Sequence, residues 1–409
     1  MKTYLVGGAV RDKCLNLPVI DKDWVVVGST PEQMLAKGFV QVGKDFPVFL
    51  HPKTKEEYAL ARQERKAGVG YTGFICDFAP TVTLEEDLLR RDLTINAMAE
   101  SQDGDMIDPY QGQKDLERKQ LRHVSPAFSE DPLRVLRVAR FAARFANLGF
   151  TVAPETMALM QTMVQSNELK SISAERIWRE TEKALTSNTP RVYFEVLRAC
   201  GALKQLFPEI DALFGIPQTE KWHPEIDTGI HTLMVLDQIA KTSTNTSVRF
   251  AALVHDLGKG ITPENILPSH RGHEKQGLPL VNRLSERLGV PKDAQQLALL
   301  VCEFHLHSHK AFELKPTTVF KLFKSLDVFR KPERLKHFLL VTTADATGRK
   351  GFEEAEYPQA AYLQQCFDAI KTITIKDLGD HELKGPAIGE AIDRLKVKKI
   401  AEIKKQLAI

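Results

Sequence analysis

Two aspartates separated by one residue, Asp21 and Asp23, are the residues of this sequence best suited to hold a metal ion. Strand-forming residues follow at Trp24 to Val27, and side chains two positions apart in a strand lie on the same face of a sheet. Two carboxylates held that close repel each other unless a cation lies between them. Carboxylate oxygens suit Mg²⁺, which often joins protein carboxylates to substrate phosphates. We therefore predict that this pair binds magnesium and is catalytic.

A glycine pair, Gly7-Gly8, lies upstream of the aspartates and predicts a phosphate-binding turn. It precedes an expected helix over Ala9–Leu15, whose first N–H groups and dipole attract anions. Arg11 lies one turn into this helix and can contact the same anion. The turn does not match G-x-G-x-x-G, and G-x-x-x-x-G-K-[ST] occurs nowhere in the chain. A phosphate cradle beside metal-binding carboxylates favours nucleotidyl transfer.

The composition of the 409-residue chain limits the classes of protein to which it can belong. It is 43% hydrophobic and 27% charged, with a net charge of +3, so any binding of nucleic acid must come from local basic patches. Its five cysteines are scattered without C-x-x-C, which predicts the cytoplasm rather than a disulfide framework or a zinc ribbon. No signal peptide and no apolar run of transmembrane length is visible, so we expect no membrane segment.

A second charged group lies between Glu86 and Ala97. Arg90, Arg91 and Asp92 are consecutive here. Arg91 is suited to clamp a phosphate, and Asp92 is suited to accept a hydrogen bond from a sugar hydroxyl. Charged runs of this kind are by default solvated helix faces with ion pairs, so this group alone does not indicate a site.

Arginines recur along a predicted helix that begins at Asp131 and Pro132, which are good cap and first-turn residues. Spacings of three, three and four residues place four of them on one arc of the helix. They are Arg134, Arg137, Arg140 and Arg144. No acid follows Asp131 within the helix, so we expect the stripe to bind a polyanion or base edges, to which arginine donates bidentately. The alternative is an ion-paired helix docked on an acidic neighbour.

Histidines and aspartates in the helical second half indicate another metal site. His231 lies in an apolar helix, and His255-Asp256 ends a second apolar helix. A buried His-Asp pair beside a second histidine is a metal-ligand set, and imidazole suits transition metals better than Mg²⁺. The residues that could complete the set are His270, His273, His305 and Asp345.

Four motifs occur in a fixed order between residues 4 and 144: G-G-x-x-R, D-x-D, R-R-D-x-x-x-N-A and E-D-x-x-R-x-x-R. Together they resemble the bacterial CCA-adding enzymes, which are tRNA nucleotidyltransferases of the polymerase-β-like superfamily, in the class that also holds bacterial poly(A) polymerases. The stretches His223–His231 and His255–Lys259 resemble the HD domain of the multifunctional CCA proteins of gammaproteobacteria. The resemblance covers essentially the whole chain.

The resemblance implies a role for each matching position of the head. Asp21 and Asp23 would hold the catalytic Mg²⁺ ions, and Gly8 and Arg11 would bind the triphosphate. Arg91 would contact the nucleotide.

For the ribose and the base, the resemblance implies contacts further along the chain. Asp131 and Arg134 would offer a Watson–Crick-like edge to the incoming base. The other implied nucleotide-binding residues are Asp92 at the ribose, and Arg137 and Arg140 in the same pocket. Either Glu57 or Glu64 could supply a third carboxylate to the head site, and the sequence does not decide between them.

The implied reaction adds CCA to the 3′ end of tRNA from CTP and ATP without a nucleic-acid template. The tRNA 3′-hydroxyl attacks the α-phosphorus of CTP twice and then of ATP, and pyrophosphate leaves with the help of two metal ions. We expect tRNA to be recognised by its shape and phosphates. Basic residues of the C-terminal tail can touch that backbone, although a solvated amphipathic helix explains them equally well. They are Arg394, Lys396, Lys398, Lys399, Lys404 and Lys405.

For the HD domain, the resemblance implies metal-dependent phosphatase and 2′,3′-cyclic phosphodiesterase activity with Ni²⁺ or another divalent transition metal. The predicted site consists of His231, His255, Asp256, His305 and Asp345. Which histidine of the run His305-Leu-His-Ser-His309 is a ligand stays open, although His305 fits the pattern best.

The predicted fold is α+β, with a polymerase-β-like nucleotidyltransferase head over residues 1–140. A helical neck and tRNA-binding region at 141–221, an HD domain at 222–330 and a helical tail at 331–409 follow. Within the head we predict strands at Val25–Val27, Val48–Leu50 and Tyr58–Ala61, and a mobile loop from Glu64 to Gly73.

Other functions compete with CCA addition. A poly(A) polymerase would share the head motifs but lack the HD domain. An HD phosphohydrolase whose head only binds RNA, or a nucleotide-binding regulator without turnover, would not need the intact aspartate pair. We expect a monomer or a homodimer.

Overall fold

The computed structural model describes residues 1–42, 48–66, 74–379 and 382–407, and the chain forms two compact units. The first unit comprises Met1–Ala184 and Val192–Leu206. The second comprises Leu185–Arg191 and Phe207–Ile409. No described helix is both long and apolar enough to cross a membrane.

The first unit is built on a mixed sheet in the strand order β3-β4-β5-β2-β1-β8-β9. Its strands are β1 (Lys2–Val6), β2 (Asp23–Val27), β3 (Val40–Val42), β4 (Val48–Leu50), β5 (Glu57–Leu60), β8 (Ala99–Ser101) and β9 (Met106–Ile107). Two smaller sheets pair β6 (Gln63–Lys66) with β7 (Phe74–Asp77), and β10 (Gln120–Leu121) with β11 (Thr151–Val152).

Alternation along β2 gives this sheet two apolar faces. Val25 packs in a buried cluster with Val6 and Leu88, whereas Val26 packs on the other face with Phe49 and Met34. Successive side chains of a strand point to opposite faces, so both faces of β2 are covered and its position is fixed.

Helices cover this sheet and extend the first unit. They are α1 (Gly8–Cys14), α2 (Pro31–Ala36), α3 (Leu84–Leu89), α4 (Gly112–Arg118), α5 (Leu133–Phe145), α6 (Pro154–Gln165), α7 (Ala174–Leu185), α8 (Arg191–Ala199) and α9 (Ala202–Leu206). A short 3₁₀ helix spans Thr94–Asn96. The Thr83 hydroxyl oxygen accepts a hydrogen bond from the Glu86 N–H, and the Glu86 carboxylate accepts one from the Thr83 N–H, which fixes where α3 begins.

The second unit is helical in its described residues. Its helices are α10 (Pro208–Asp211), α11 (Thr228–Thr242), α12 (Thr246–Val254), α13 (His273–Leu288), α14 (Lys292–His309), α15 (Pro316–Ser325), α16 (Glu333–Thr347), α17 (Pro358–Ile370) and α18 (Pro386–Gln406). Every residue of α12 from Val248 to Val254 is buried, and α12 packs against α11, α14 and α16. A helix that is buried on all sides belongs at the centre of a bundle.

The predicted α+β fold is confirmed, with a mixed head followed by helices. The predicted loop is wrong where it begins, because Gln63–Lys66 forms a strand paired with Phe74–Asp77. Strand pairing outweighs the weak propensity of these polar residues. The rest of that loop, including Gly70, lies outside the described residues. The domain boundaries stay predictions. Helix α5 continues through the predicted end of the head at residue 140, and Asp345 lies on α16, after the predicted end of the HD domain at residue 330.

Candidate functional site

Asp23 is the first residue of β2, and Asp21 lies two residues before the strand. The prediction that one strand holds both aspartates is therefore wrong for Asp21. The reason is that β1 ends at Val6, opposite Asp23, so no strand partner extends beyond this point. Partial desolvation raises the pKa of Asp23, the Arg91 guanidinium lowers it, and the charge of Asp21 raises it. The charge of Asp21 therefore acts on the Asp23 carboxylate.

Glu57 occupies the position opposite Asp23 on the parallel neighbour β5. Paired positions of adjacent strands direct their side chains to the same face of the sheet. The preceding Glu56 is bound elsewhere, since its Oε2 accepts a 3.0 Å hydrogen bond from Trp24 Nε1. The other candidate for a third carboxylate, Glu64, lies in the separate two-stranded sheet, and its side chain lies outside the described part of the chain. Backbone register therefore favours Glu57.

The glycine turn follows β1 directly and meets Arg91. Gly7 has a φ of +70°, and a Cβ there would lie 2.8 Å from Arg91 Nη1. Both the left-handed backbone and the close guanidinium require glycine at this position. Arg91 is anchored by Asp87, whose Oδ2 lies 3.3 Å from Nη2. The turn, Arg91 and Asp23 thus share one edge of the sheet.

Arg11 lies beneath this turn rather than at the surface. It is 3% exposed, and its guanidinium donates to Asp12 at 2.8 Å and to Asn96 at 2.5 Å. The guanidinium also lies over Phe141 and Phe145, at 5.2 and 5.0 Å from their ring centroids. In this structure Arg11 therefore positions the turn, and its predicted contact with a triphosphate stays a prediction.

Asp92 is a buried carboxylate with partners on both oxygens. Its Oδ2 accepts from Arg137 Nε at 2.8 Å, and its Oδ1 accepts from Asn96 Nδ2 at 2.9 Å. Burial raises the pKa of Asp92, but Arg137 and Asn96 outweigh burial and hold this pKa well below its usual range. Asp92 is therefore an ionised anchor that joins α5 to the residues after α3.

The arginine stripe of α5 is ion-paired, as the alternative interpretation expected. The acidic partners lie on other elements of the fold, so the sequence of the helix alone does not reveal them. Arg140 Nε lies 2.5 Å from Glu180, and Arg144 Nη2 lies 2.8 Å from Asp12. Arg134 donates to the carbonyl oxygens of Ala127 and Arg90 at 2.7 and 2.6 Å.

Asp131 lies at the start of this helix, as predicted. Its Oδ1 accepts from the Leu133 N–H at 3.1 Å, and its Oδ2 lies 3.0 Å from Arg176 Nη2. Asp131 and Arg134 are thus both held by neighbouring groups at the start of α5.

Six buried ligand residues meet within the second unit. His231 comes from α11, His255-Asp256 from the end of α12 and Asp345 from α16. His231 Nε2 lies 3.0 Å from Asp345 Oδ1, and His255 Nε2 lies 3.3 Å from Asp256 Oδ2. The remaining members are His273, at the first position of α13, and His305 on α14. The structure thus unites all five predicted HD-site residues and adds His273.

The ring nitrogens of these four histidines are oriented alike. Each Nδ1 faces a backbone carbonyl, which directs Nε2 toward the cluster. For His231, His255, His273 and His305 the carbonyls are those of Gly348, Ala252, His270 and Val301, at 3.1, 2.8, 2.7 and 3.1 Å.

Two buried atoms of the cluster make no hydrogen bond among the described residues: His255 Nε2 and Asp256 Oδ1. Burial lowers the pKa of His255, but Asp256 and Asp345 outweigh burial and raise this pKa to about 10. The carboxylates therefore attract a positive charge, which a divalent ion supplies when these atoms act as its ligands. The donor set of imidazole and carboxylate fits a transition metal.

Two other histidines of the region, His270 and His309, have their ring nitrogens occupied by other partners. Both ring nitrogens of His270 are occupied, by Pro217 O at 3.0 Å and Thr262 Oγ1 at 2.8 Å. His309 bridges Tyr357 to Asp345, with its Nε2 2.8 Å from Asp345 Oδ2. Of the run from His305 to His309, His305 is therefore the one that joins the cluster of ligand atoms.

Two residues of this site were missed from the sequence. Lys259 Nζ lies 2.7 Å from Asp256 Oδ2, and the lysine is 7% exposed. Its position three residues after Asp256 was the available signal. Glu225 Oε1 lies 3.0 Å from His231 Nδ1 and orients that ring. An isolated glutamate six residues upstream carries no comparable signal.

Three family models match the chain. A "Poly A polymerase head domain" covers residues 3–122, a "Probable RNA and SrmB-binding site of polymerase A" covers 149–214, and an "HD domain" covers 228–347. The ligand residues of the second unit from His231 to Asp345 fall within the HD match.

Solved structures of CCA-adding enzymes share the fold. The Thermotoga maritima CCA-adding enzyme complexed with tRNA-CCA is 20% identical, with a TM-score of 0.65 over 100% of this chain and 90% of that chain. The Bacillus stearothermophilus CCA-adding enzyme in complex with CTP is 23% identical, with a TM-score of 0.62 over 98% and 89%. A CCA-adding enzyme in complex with ATP is 20% identical, with a TM-score of 0.64 over 100% and 89%.

These matches place the three domains in the order that the motifs predict. The chain thus carries matches to a poly A polymerase head domain, an RNA-binding region and an HD domain in this order, and it has the fold of the CCA-adding enzymes.

Proposed function

We propose that this protein adds CCA to the 3′ end of tRNA from CTP and ATP, without a nucleic-acid template, in tRNA maturation and repair. The observation that carries the proposal is the edge of the sheet at which Asp21, Asp23 and Glu57 meet the Gly7 turn and Arg91. Carboxylates beside a glycine turn and a guanidinium suit a metal-bound nucleoside triphosphate. The fold shared with CCA-adding enzymes solved with tRNA, CTP and ATP supports the same reaction.

In this reaction the tRNA 3′-hydroxyl loses its proton to solvent as its oxygen bonds to the α-phosphorus, and the bond from that phosphorus to the bridging oxygen breaks, so that pyrophosphate leaves. Magnesium held by Asp21 and Asp23 would neutralise charge on the attacking and leaving oxygens. Arg91 stabilises the negative triphosphate beside Gly8. Arg11 keeps the turn in place through Asn96.

We assign selection of the nucleotide to Asp131 and Arg134, with Asp92 at the ribose and Arg137 and Arg140 in the same pocket. The guanidinium of Arg134 donates to the carbonyl oxygens of Ala127 and Arg90. Its plane is thereby fixed before a base arrives. A fixed donor edge discriminates bases because a mismatched base leaves buried polar groups unpaired.

For the second unit we propose metal-dependent hydrolysis of phosphomonoesters and 2′,3′-cyclic phosphates. The support is the buried set of imidazole and carboxylate atoms at the end of α12. Ni²⁺ or a similar transition metal suits these ligands. His255 and Asp256 contribute atoms without hydrogen-bond partners among the described residues.

The proposal extends to the partners and the cellular location, namely tRNA as substrate, the cytoplasm, and a monomer or a homodimer. Part of the basic tail is already used within the second unit. Lys404 Nζ donates to Phe312 O and Leu314 O, and Lys396 Nζ lies 4.0 Å from the Phe329 ring centroid. The tail residues proposed for tRNA are therefore Arg394, Lys398, Lys399 and Lys405.

A pair of substitutions tests the two activities separately. Asp21→Ala or Asp23→Ala should abolish nucleotide addition and leave hydrolysis of 2′,3′-cyclic AMP intact. His255→Ala should do the reverse. If either aspartate variant adds CTP at the wild-type rate, the head site is wrongly assigned.

A further inference from the structure

A buried side-chain amide in the second unit has a hydrogen-bond donor that no described residue uses. Gln218 is 3% exposed, and its Nε2 makes no hydrogen bond among the described residues. We propose that Gln218 binds the phosphoryl oxygens of the substrate that the second unit hydrolyses. The inference rests on the proposed hydrolase function and names a residue that recognises phosphate at that site.

Lys259 connects this amide to the cluster of ligand residues. Its Nζ donates to Gln218 Oε1 at 2.7 Å and lies 2.7 Å from Asp256 Oδ2. A lysine ammonium has only donors, so the amide atom that faces it must be the oxygen. The hydrogen-bond network therefore decides which amide atom is which, and the atom left unused is the N–H₂ group. A single lysine separates this donor from a carboxylate of the cluster.

The backbone on both sides of Gln218 is held in place. The Gln218 N–H donates to Ile226 O at 2.7 Å, and Pro217 pairs with Asp227 in an isolated antiparallel bridge. His270 Nε2 donates to Pro217 O at 3.0 Å, so this histidine, which lies outside the cluster of ligand atoms, supports the segment. A donor that is fixed before its ligand arrives loses little conformational entropy on binding.

The surroundings of the unused donor favour an anion. A buried donor without a partner is destabilising, so a ligand that accepts its hydrogen bond is stabilised in return. Hydrogen bonds to charged acceptors are stronger than those to neutral ones, and the Lys259 ammonium at the amide oxygen adds positive charge. The phosphoryl group of a phosphomonoester or a 2′,3′-cyclic phosphate meets both conditions. The competing occupant is a single water molecule, which would give Gln218 no role in phosphate binding.

Two substitutions distinguish a phosphate donor from a support for Lys259. Gln218→Glu keeps an oxygen for Lys259 and removes the N–H₂ group, whereas Gln218→Met removes both polar atoms. The dissociation constant of inorganic phosphate is measured by calorimetry on the full chain reconstituted with Ni²⁺, and the unchanged head contributes equally to every titration. Both variants should bind phosphate about tenfold more weakly or worse. Gln276→Met, at an exposed position of α13, is the matched control and should bind like the wild type.

Each other pattern would overturn the proposal. Weaker binding in Gln218→Met alone would mean that the amide only holds Lys259, and weaker binding in Gln218→Glu alone would mean charge repulsion. Unchanged binding in both would assign the donor to water. Thermal unfolding shows whether each variant is folded. If Gln218→Met does not fold, the ¹⁵N signal of the Gln218 side chain, identified by its loss in Gln218→Glu, must still shift when phosphate is added to the wild type.

The hydrolysis of 2′,3′-cyclic AMP separates this inference from the proposed activity. An increase in KM in both Gln218 variants would support the inference and the activity together. Phosphate binding that depends on Gln218, in a protein that hydrolyses no cyclic phosphate, would support the inference and contradict the activity. Hydrolysis with the wild-type KM in both variants would support the activity and overturn the role of Gln218.

Discussion

Arg137 and Asp92 form an ion pair between α5 and the residues that follow α3. Arg137 Nη2 lies 2.6 Å and Nε 2.8 Å from Asp92 Oδ2, and Asp92 is 6% exposed. Asp92 Oδ1 in turn accepts from Asn96, which also accepts from Arg11. A chain of contacts thus joins the arginine helix to the glycine turn before any nucleotide binds.

Removal of Arg137 should destabilise the first unit. Arg137→Ala leaves the Asp92 carboxylate buried without its main partner, and we expect a loss of about 2 kcal/mol, less than for a fully buried pair because the arginine is partly exposed. The free energy of unfolding in urea measures the loss. Arg179→Ala, which removes an exposed pair with Glu175, is the control and should cost under about 0.5 kcal/mol. If both variants lose the same free energy of unfolding, the pair of Arg137 and Asp92 stabilises the protein no more than an exposed ion pair.

Acid should weaken the protein partly through Asp92. Its folded pKa lies below the unfolded value of about 3.9, because Arg137 and Asn96 outweigh burial. The stabilisation is therefore complete above the unfolded pKa and is lost as the pH falls through the folded pKa. In urea titrations from pH 6 to 3, Asp92→Asn should show a shallower fall in unfolding free energy than the wild type. Parallel curves would contradict the assigned pKa direction.

Glu57 should contribute to the metal site of the head. Glu57→Gln removes a negative charge opposite Asp23, and we expect nucleotide addition to fall about tenfold or more and to need more Mg²⁺. The rate of CTP incorporation across a magnesium titration measures both effects. Glu56→Gln is the matched control, because Glu56 is bound to Trp24. If both variants keep the wild-type magnesium dependence, the third carboxylate is not Glu57, and Glu64 becomes the candidate.

Arg134 should govern the choice of nucleotide through its planar edge. Arg134→Lys keeps the charge but loses the bidentate fork, so the ratio of kcat/KM for CTP over UTP should fall about tenfold or more. Arg134→Ala should lower the ratio similarly. If lysine preserves the ratio and alanine does not, the role of Arg134 is electrostatic.

The motifs predicted the order of domains well because each carries its own local geometry. Asp23 follows a glycine turn and opens a strand of valines, and His255-Asp256 ends an apolar helix. These signals lie within short stretches of chain. The strand β6 was missed because its residues are polar and do not predict a strand. Pairing with β7 stabilises it.

Partners distant in sequence were beyond prediction. Arg140 finds Glu180, and Arg144 finds Asp12 across the fold, so a stripe without acids of its own is nevertheless neutralised. The same limit applied to the metal ligands. From the sequence, His270 and His273 were equally good candidates for a metal ligand. Only the hydrogen bonds of the two rings show which histidine has a ring nitrogen left to bind a metal.

The most direct test of nucleotide addition uses tRNA that lacks its last three nucleotides, with the products sequenced. CTP alone should add two residues and stop, ATP alone should add none, and both together should give CCA and stop. ATP alone should add a single A to tRNA that already ends in CC. Runs of A on any substrate, or no addition with both nucleotides and Mg²⁺ present, would contradict CCA addition.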